Sequence, residues 1–179
     1  MTDKKLKSHR VKIDKIDKEI YALIQKRASH AVAIGKIKSK VSPKESFYKP
    51  DRETKILRNI LNANKKGLLP DSKIRAIYKE LISGCLSLEE ILKVAYLGPE
   101  ATHSEAAVHN QFGSQALRIP TSTIDDVFYQ VINDDVNLGV VPVENSSEGV
   151  INTTLNRLVD SKDINIIGEI YLNIDPQLA

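Results

Sequence analysis

The chain holds 179 residues, 41% of them hydrophobic, with 26 Lys+Arg against 23 Asp+Glu and a formal net charge of +3. That is enough apolar material to build the cores of one ordinary domain or two small ones, which excludes a disordered chain. The opening MTDKKLKSHR is charged and no apolar run approaches the ~18 residues of a membrane helix, so neither a secretory signal nor a span is expected, and the cytoplasm is the expected compartment. One cysteine, Cys85, cannot close an internal disulfide, and His9, His30, His103 and His109 lack metal-ligand grouping, so no metal site is expected.

The charge is unevenly divided. Residues 1–93 carry 23 basic against 11 acidic side chains and residues 94–179 carry 3 against 12, local charges of +12 and −9. Two domains are expected, 1–93 and 94–179. The lysines of the basic half are spread along helical patterns without the clustered basic and aromatic surface that nucleic acid favours, so a nucleic-acid partner is not expected.

From Leu6 to Val41 the residues Ile13, Ile16, Ile20, Leu23, Ile24, Ala31, Ile34 and Ile37 recur at steps of three and four, with no proline before Pro43. This predicts one helix of roughly 36 residues, ~54 Å long. A second helix runs from Pro50 through Ile56, Ile60 and Leu61 to the Lys66-Gly67 stop. A third starts near Pro70 and Asp71 and passes through Ile74, Ile77, Leu81, Leu88 and Leu92. The first helix is too long to bury its stripe on two shorter partners, which predicts a dimer sharing the long helices.

Cations interrupt the apolar stripe of the first helix. Arg27 lies within ~20° of Ile20 and Ile34, and Lys38 within ~20° of Arg27 and ~16 Å further along the axis, a spacing that can hold a small anion. Snorkelling of two long side chains to water is the alternative. Arg10 points ~100° away from Arg27 and can join it only through a bend or from another subunit. On the third helix Leu81, Cys85 and Glu89 follow at i,i+4 steps, so a thiol and a carboxylate sit on a core-facing line. Cys85 by itself reads equally as a small buried hydrophobe. Arg52 and Glu53 lie in the first turn of the second helix, where helix-end electrostatics is the competing account.

After Val94 the period changes. VAYLG, a helix from Ser104 to about Phe112, ALRIP, a helix opened by the Thr123-Asp126 capping pair, LGVVPV, a helix near Asn152 to Leu158, and INIIGEIYLNI alternate as strand and helix, which implies a mostly parallel sheet. Ligands of such sheets bind beyond the carboxyl ends of the strands, where GPEATHS (98–104) and ENSSEG (144–149) lie. Small polar groups beside helix N-termini suit an anion, and turn or cap duty is the alternative.

The stretches SHRVKIDKIDKEIYALIQKRASHAVAIGKIK, FYKPDRE and ELISGCLSLEE, covering nearly all of residues 8–90, resemble the all-helical chorismate mutase domain that opens bifunctional chorismate mutase/prephenate dehydratases. The resemblance implies a three-helix, intertwined homodimer that rearranges chorismate to prephenate in phenylalanine biosynthesis, with no cofactor and no covalent step. It implies that Arg27 and the partner subunit's Arg10 grip the two substrate carboxylates and that Lys38 contacts a carboxylate and the ether oxygen. Glu53 would hold the ring hydroxyl, Arg52 support the site, Cys85 line it and Glu89 face the ether oxygen. Such a reaction needs only a folded substrate and donors at the oxygen where negative charge develops. Lys49, Cys85 and Glu89 stand where the best-known pattern has an acid, a serine and a glutamine. Glutamate donates only when protonated, so activity rising toward mildly acidic pH is expected.

GPEATHS and VENSSEG resemble the first lobe of prephenate dehydratase, which implies a periplasmic-binding-protein-like α/β lobe with Thr102, Ser104, Asn145, Ser146 and Ser147 facing prephenate. Ala101 and His103 replace the usual glycine and phenylalanine. The family continues into a second lobe with a threonine-arginine-phenylalanine motif and then a phenylalanine-sensing regulatory domain. Neither follows in this sequence, so dehydration and allosteric control by phenylalanine are not expected from this chain alone. Two alternatives stay open: a fragment of a full bifunctional enzyme that also makes phenylpyruvate, and a non-catalytic dimerisation module joined to an anion-binding lobe.

Overall fold

The computed structural model describes residues 2–41, 47–145 and 149–172. The helical half consists of α1 (Thr2–Val41), α2 (Pro50–Ala63) and α3 (Asp71–Leu86). Helix α1 ends two residues before Pro43, whose ring disfavours helix in the residue preceding it. Pro50 opens α2 at a position where its missing N–H costs nothing, and Asp51 and Glu53 complement the helix dipole there. Only the last third of α1 packs inward: Ala31 and Gly35 are buried, whereas residues 3–26 are exposed or nearly so. A Cβ at Gly35 would lie 3.1 Å from the Glu89 Cα, so glycine is what permits this approach of α1 to the end of α3.

The third helix is shorter than its apolar pattern predicts. It stops at Leu86, and Leu88 and Glu89 fall in a following turn whose N–H groups bond to Cys85 O (3.3 Å) and Leu86 O (2.8 Å). Ser87 Oγ donates to Gly84 O (2.9 Å), tightening the last turn. Leu92 leaves the helical line altogether and is buried in the core of the second half. A 3.6-residue apolar period could not reveal this, because a leucine serves a helix stripe and a sheet core equally well.

In the second half β1 (Lys93–Leu97), β2 (Leu117–Thr121) and β3 (Leu138–Val140) form a parallel sheet in the order β2-β1-β3. They are joined by α4 (His103–Phe112) and α5 (Ile124–Ile132). The central strand is buried on both faces, which explains its unbroken apolar run. Val94 and Tyr96 pack with Val108 and Ala116 on one side, and Ala95 with Val127 and Val136 on the other. Tyr48, from the connection before α2, is part of the first of these cores, so the helical half and the sheet share apolar packing. Thr123 and Asp126 form the expected reciprocal cap at the start of α5. Beyond β3 come two short antiparallel strands, β4 (Glu144–Asn145) and β5 (Gly149–Val150), and α6 (Asn152–Asp160). Residues 141–143 leave the ladder at Pro142, which has no N–H to give; its carbonyl instead accepts from Thr154 Oγ1 (2.7 Å).

One predicted strand is not found among the described residues. Residues 164–172 of INIIGEIYLNI lie in no ladder, with Ile166 and Tyr171 exposed, and residues 173 and 174 are outside the described residues. An apolar alternation becomes a strand only where a neighbour supplies the hydrogen bonds, and none of the described strands pairs with this segment.

The turn leaving β1 carries a non-glycine residue, Ala101, at φ 63°, in the left-handed region. Its N–H donates to Glu105 Oε2 (2.6 Å), and Glu105 is paired with Arg118 (3.1 Å), so the turn is held despite the Cβ. Ala101→Gly should relieve this and raise stability by about 1 kcal/mol. Thermal melting checks it: an unchanged or lower midpoint would show that the backbone here is not strained.

Candidate active site

Helices α1 and α3 meet along a line that advances in the same chain direction on both. Arg27 Nη1 donates to Leu81 O (3.2 Å) at one end of the line. At the other end Lys38 Nζ donates to Glu89 Oε2 (2.9 Å) and to Phe47 O (3.1 Å), with the Phe47 ring 5.4 Å away. Cys85, one turn from each of Leu81 and Glu89 along the chain, is buried. Three of the anticipated residues, Arg27, Lys38 and Glu89, are thus anchored on one α1–α3 seam. The Lys38–Glu89 pair is only partly in water, with side-chain exposures of 30% and 11%. Each charge is costly to strip of solvent and each is the other's compensation, so the pair fixes both side chains.

The remaining helical candidates lie elsewhere. Arg10 is exposed on the free part of α1, ~25 Å along the axis from Arg27, too far to reach it within one subunit. Arg52 is exposed in the first turn of α2. Glu53, beside it, belongs to a second cluster: it accepts a hydrogen bond from the Tyr48 hydroxyl and lies within electrostatic reach of Lys79. Burial pushes the Glu53 carboxyl above its ordinary range, outweighing Lys79 and the Tyr48 hydrogen bond, both of which act downward. Burial likewise lowers Lys79 more than Glu53 raises it, and drives the Tyr48 phenol up to about 12 with help from the Glu53 charge. Desolvation therefore wins over pairing throughout this cluster. Phe47, Tyr48 and Lys79 were not foreseen from the sequence. Phe47 and Tyr48 lie in the connection before α2, and Lys79 meets carbonyls 31 and 32 residues away, where helical periodicity carries no information.

In the second half the turns after β1 and β3 leave the same edge of the sheet, because those strands are parallel neighbours. The Thr102 hydroxyl is engaged at the start of α4, accepting from Glu105 N (3.5 Å) and donating to Pro99 O (3.0 Å). Ser104 is half-buried in the first turn of α4 and Asn145 is exposed in β4. Ser146 and Ser147 lie outside the described residues. An open hollow of about 510 Å³ beside β2 and α5 is lined by Thr121, Asp126, Tyr129 and Asp135, among others, and by no cation, so it is ill suited to a dianion. Among the described residues no helix is long and apolar enough to cross a membrane, and no three His, Cys, Asp or Glu side chains are grouped as for a metal ion.

A helical unit with cations seated on its longest helix, followed by a parallel α/β lobe whose turns gather at the strand ends, is the class that fold and site define. Comparison with known proteins makes the class particular: residues 9–90 match the family described as chorismate mutase type II, and residues 94–179 match prephenate dehydratase, so the chain belongs to these two families in that order. Among similar proteins, the bifunctional chorismate mutase/prephenate dehydratase of Stutzerimonas stutzeri is 43% identical over 176 residues, covering 97% of this chain and 48% of its own length. That of Aquifex aeolicus is 46% identical over 172 residues, covering 94% and 47%. The prephenate dehydratase of Bacillus subtilis is 34% identical over 87 residues, covering 49% and 30%. The chain spans about half the length of the bifunctional relatives.

The raised Glu53 pKa has a signed consequence for stability. A carboxyl whose folded pKa exceeds its unfolded one contributes fully below the ordinary carboxylate pKa, and that contribution is lost as pH rises through the folded value. Glu53→Gln cannot ionise, so it should gain on the parent chain as pH is raised from about 4 toward neutrality. Urea midpoints of the two chains across that range are the measurement. A difference independent of pH, or of the opposite slope, would contradict it.

Proposed function

We propose that this chain is a chorismate mutase, converting chorismate to prephenate on the way to phenylalanine, with a mutase domain at residues 1–93 and a dehydratase lobe at 94–179. The observation that carries the reading is the seam on which Lys38 is held by Glu89 and the Phe47 carbonyl while Arg27 is held to α3 at Leu81. It presents two cations, eleven residues apart on one helix face, with their side chains already immobilised. The match of residues 9–90 to chorismate mutase type II supports the same reading.

In this mechanism Arg27 and Arg10 of the partner subunit grip the two carboxylates of chorismate, since a guanidinium fork binds a carboxylate bidentately. Lys38, whose ammonium keeps one donor beyond the two given to Glu89 and the Phe47 carbonyl, contacts a carboxylate and the ether oxygen, where negative charge grows as the C–O bond breaks and the new C–C bond forms within the same molecule. Glu89, when protonated, donates to that oxygen as well. Glu53 accepts from the ring hydroxyl, Arg52 supports the site electrostatically and Cys85 lines its wall. Electrons move only within the substrate, so no nucleophile or external proton is consumed. The homodimer in this reading is formed through α1, whose apolar side chains Ile13, Ile16, Ile20 and Leu23 are exposed in the single chain. A second α1 would cover them and bring Arg10 to the neighbouring seam.

A second reading is favoured by a separate observation: the similarity to bifunctional relatives runs continuously through both families. Residues 94–179 would then bind prephenate at the turns carrying Thr102, Ser104, Asn145, Ser146 and Ser147 as part of a protein that also forms phenylpyruvate. Incubation of the purified chain with chorismate separates the cases. Prephenate as the end product supports the first reading, phenylpyruvate the second, and absence of turnover by a chain that still dimerises leaves a binding module.

Lys38→Ala should lower kcat on chorismate by about 100-fold or more, the loss of one preorganised donor at the developing charge. Glu89→Gln should retain turnover and flatten its pH profile. A small effect of the first or an unchanged profile in the second removes that residue from its role. Arg10→Ala and Arg27→Ala should each be nearly inactive alone, yet co-expressed chains should recover about a quarter of the parent activity. Half the dimers are then mixed, and one of their two sites is intact. No recovery from chains shown to form mixed dimers would place Arg10 outside the partner's site.

A further inference from the structure

The end of α4 is plugged into the helical half through the cluster that holds Glu53. Lys79 Nζ donates to Asn110 O (2.6 Å), Gln111 O (3.0 Å) and Gln111 Oε1 (3.2 Å), satisfying carbonyls that the last turn of a helix leaves without partners. Tyr48 meets Phe112 edge to face, with ring centroids 5.4 Å apart and planes at 69°. Its hydroxyl is hydrogen-bonded to both Gln111 and Glu53. The docking continues past the helix: Ser114 donates to Glu80 through N (3.2 Å) and Oγ (2.6 Å), and Gln115 N donates to Ser83 Oγ (3.3 Å). Gly113, at φ 78°, is required there, since a Cβ would sit 2.6 Å from the Cβ of Ser83.

One side chain at this junction, Glu53, is also the group assigned to the substrate's ring hydroxyl. A carboxylate accepts at two oxygens, so Tyr48 can occupy one of its lone pairs and leave others for the substrate. Tyr48 and Lys79 are each tied to α4, and Glu53 lies beside the Tyr48 hydroxyl and within electrostatic reach of Lys79. Nothing in the chemistry of the mutase reaction calls for a tyrosine or a lysine behind Glu53, or for a contact with the α/β lobe.

We propose that Tyr48 and Lys79 are positioning residues for Glu53, held in place by the Gln111–Phe112 end of α4, so that the mutase pocket is completed by the docked α/β lobe. The proposal rests on the assignment of Glu53 to the ring hydroxyl. Undocking of α4 releases the Tyr48 hydroxyl and the Lys79 ammonium together, and the Glu53 carboxylate then loses its fixed orientation.

The test is a set of double-mutant cycles in the full chain, reading kcat and KM on chorismate. Tyr48→Phe keeps the ring packing and removes only the hydroxyl; Gln111→Met alters only the lobe. Each should lower kcat/KM by about tenfold, the worth of one hydrogen bond. In a Glu53→Gln background each should have almost no further effect. Lys79→Arg should retain activity where Lys79→Met loses it. Circular dichroism and melting curves confirm that the chains compared are folded, and Tyr48→Phe carries the test should Lys79→Met unfold. Additive losses, or a Gln111→Met chain as active as its parent, overturn the proposal while leaving the role of Glu53 intact. A Glu53→Gln chain with undiminished kcat/KM overturns that role and the proposal with it.

Discussion

The seam between α1 and α3 depends on one ion pair, Lys38 with Glu89, and on the glycine that lets the two backbones come close enough to make it. Neither member of such a pair is stable alone at partial burial: removing one leaves the other desolvated and unpaired. The pair therefore fixes both side chains where α1 meets the end of α3.

The joint between the halves depends on opposite partial charges meeting at short range. The basic half contributes Lys79 to the carbonyl end of α4, and the lobe returns the N–H and hydroxyl of Ser114 to Glu80. Tyr48 adds apolar packing by entering the sheet core from the helical side. Apolar burial and directional bonds together make the connection specific in register as well as favourable in energy. The same contacts put Glu53 in an environment where burial outweighs its partners, leaving a carboxyl easier to protonate than an exposed one.

The elements were largely legible in the residues. Three- and four-residue steps located α1 and α2, Pro50 marked a helix start, and Thr123 with Asp126 marked another. VAYLG read correctly as a strand of a parallel sheet, and the structure puts it at the centre. Where reading failed, a local pattern had more than one home. Leu88 and Leu92 continue the α3 stripe on paper but belong to a turn and to the sheet core. Residues 164–172 alternate like a strand yet have no described neighbour to pair with.

Of the site, the sequence by itself determined that Arg27 and Lys38 share one face of a long helix and that Cys85 follows Leu81 one turn on along another, because helical spacing is a local property of the chain. Only the tertiary structure decided that Lys38 meets Glu89, 51 residues away, that Thr102 spends its hydroxyl as a helix cap, and that Glu53 is held by Tyr48 near Lys79. Those outcomes turn on which side chains lose their water together. That is fixed by the packing of distant segments, and no spacing within a single helix encodes it.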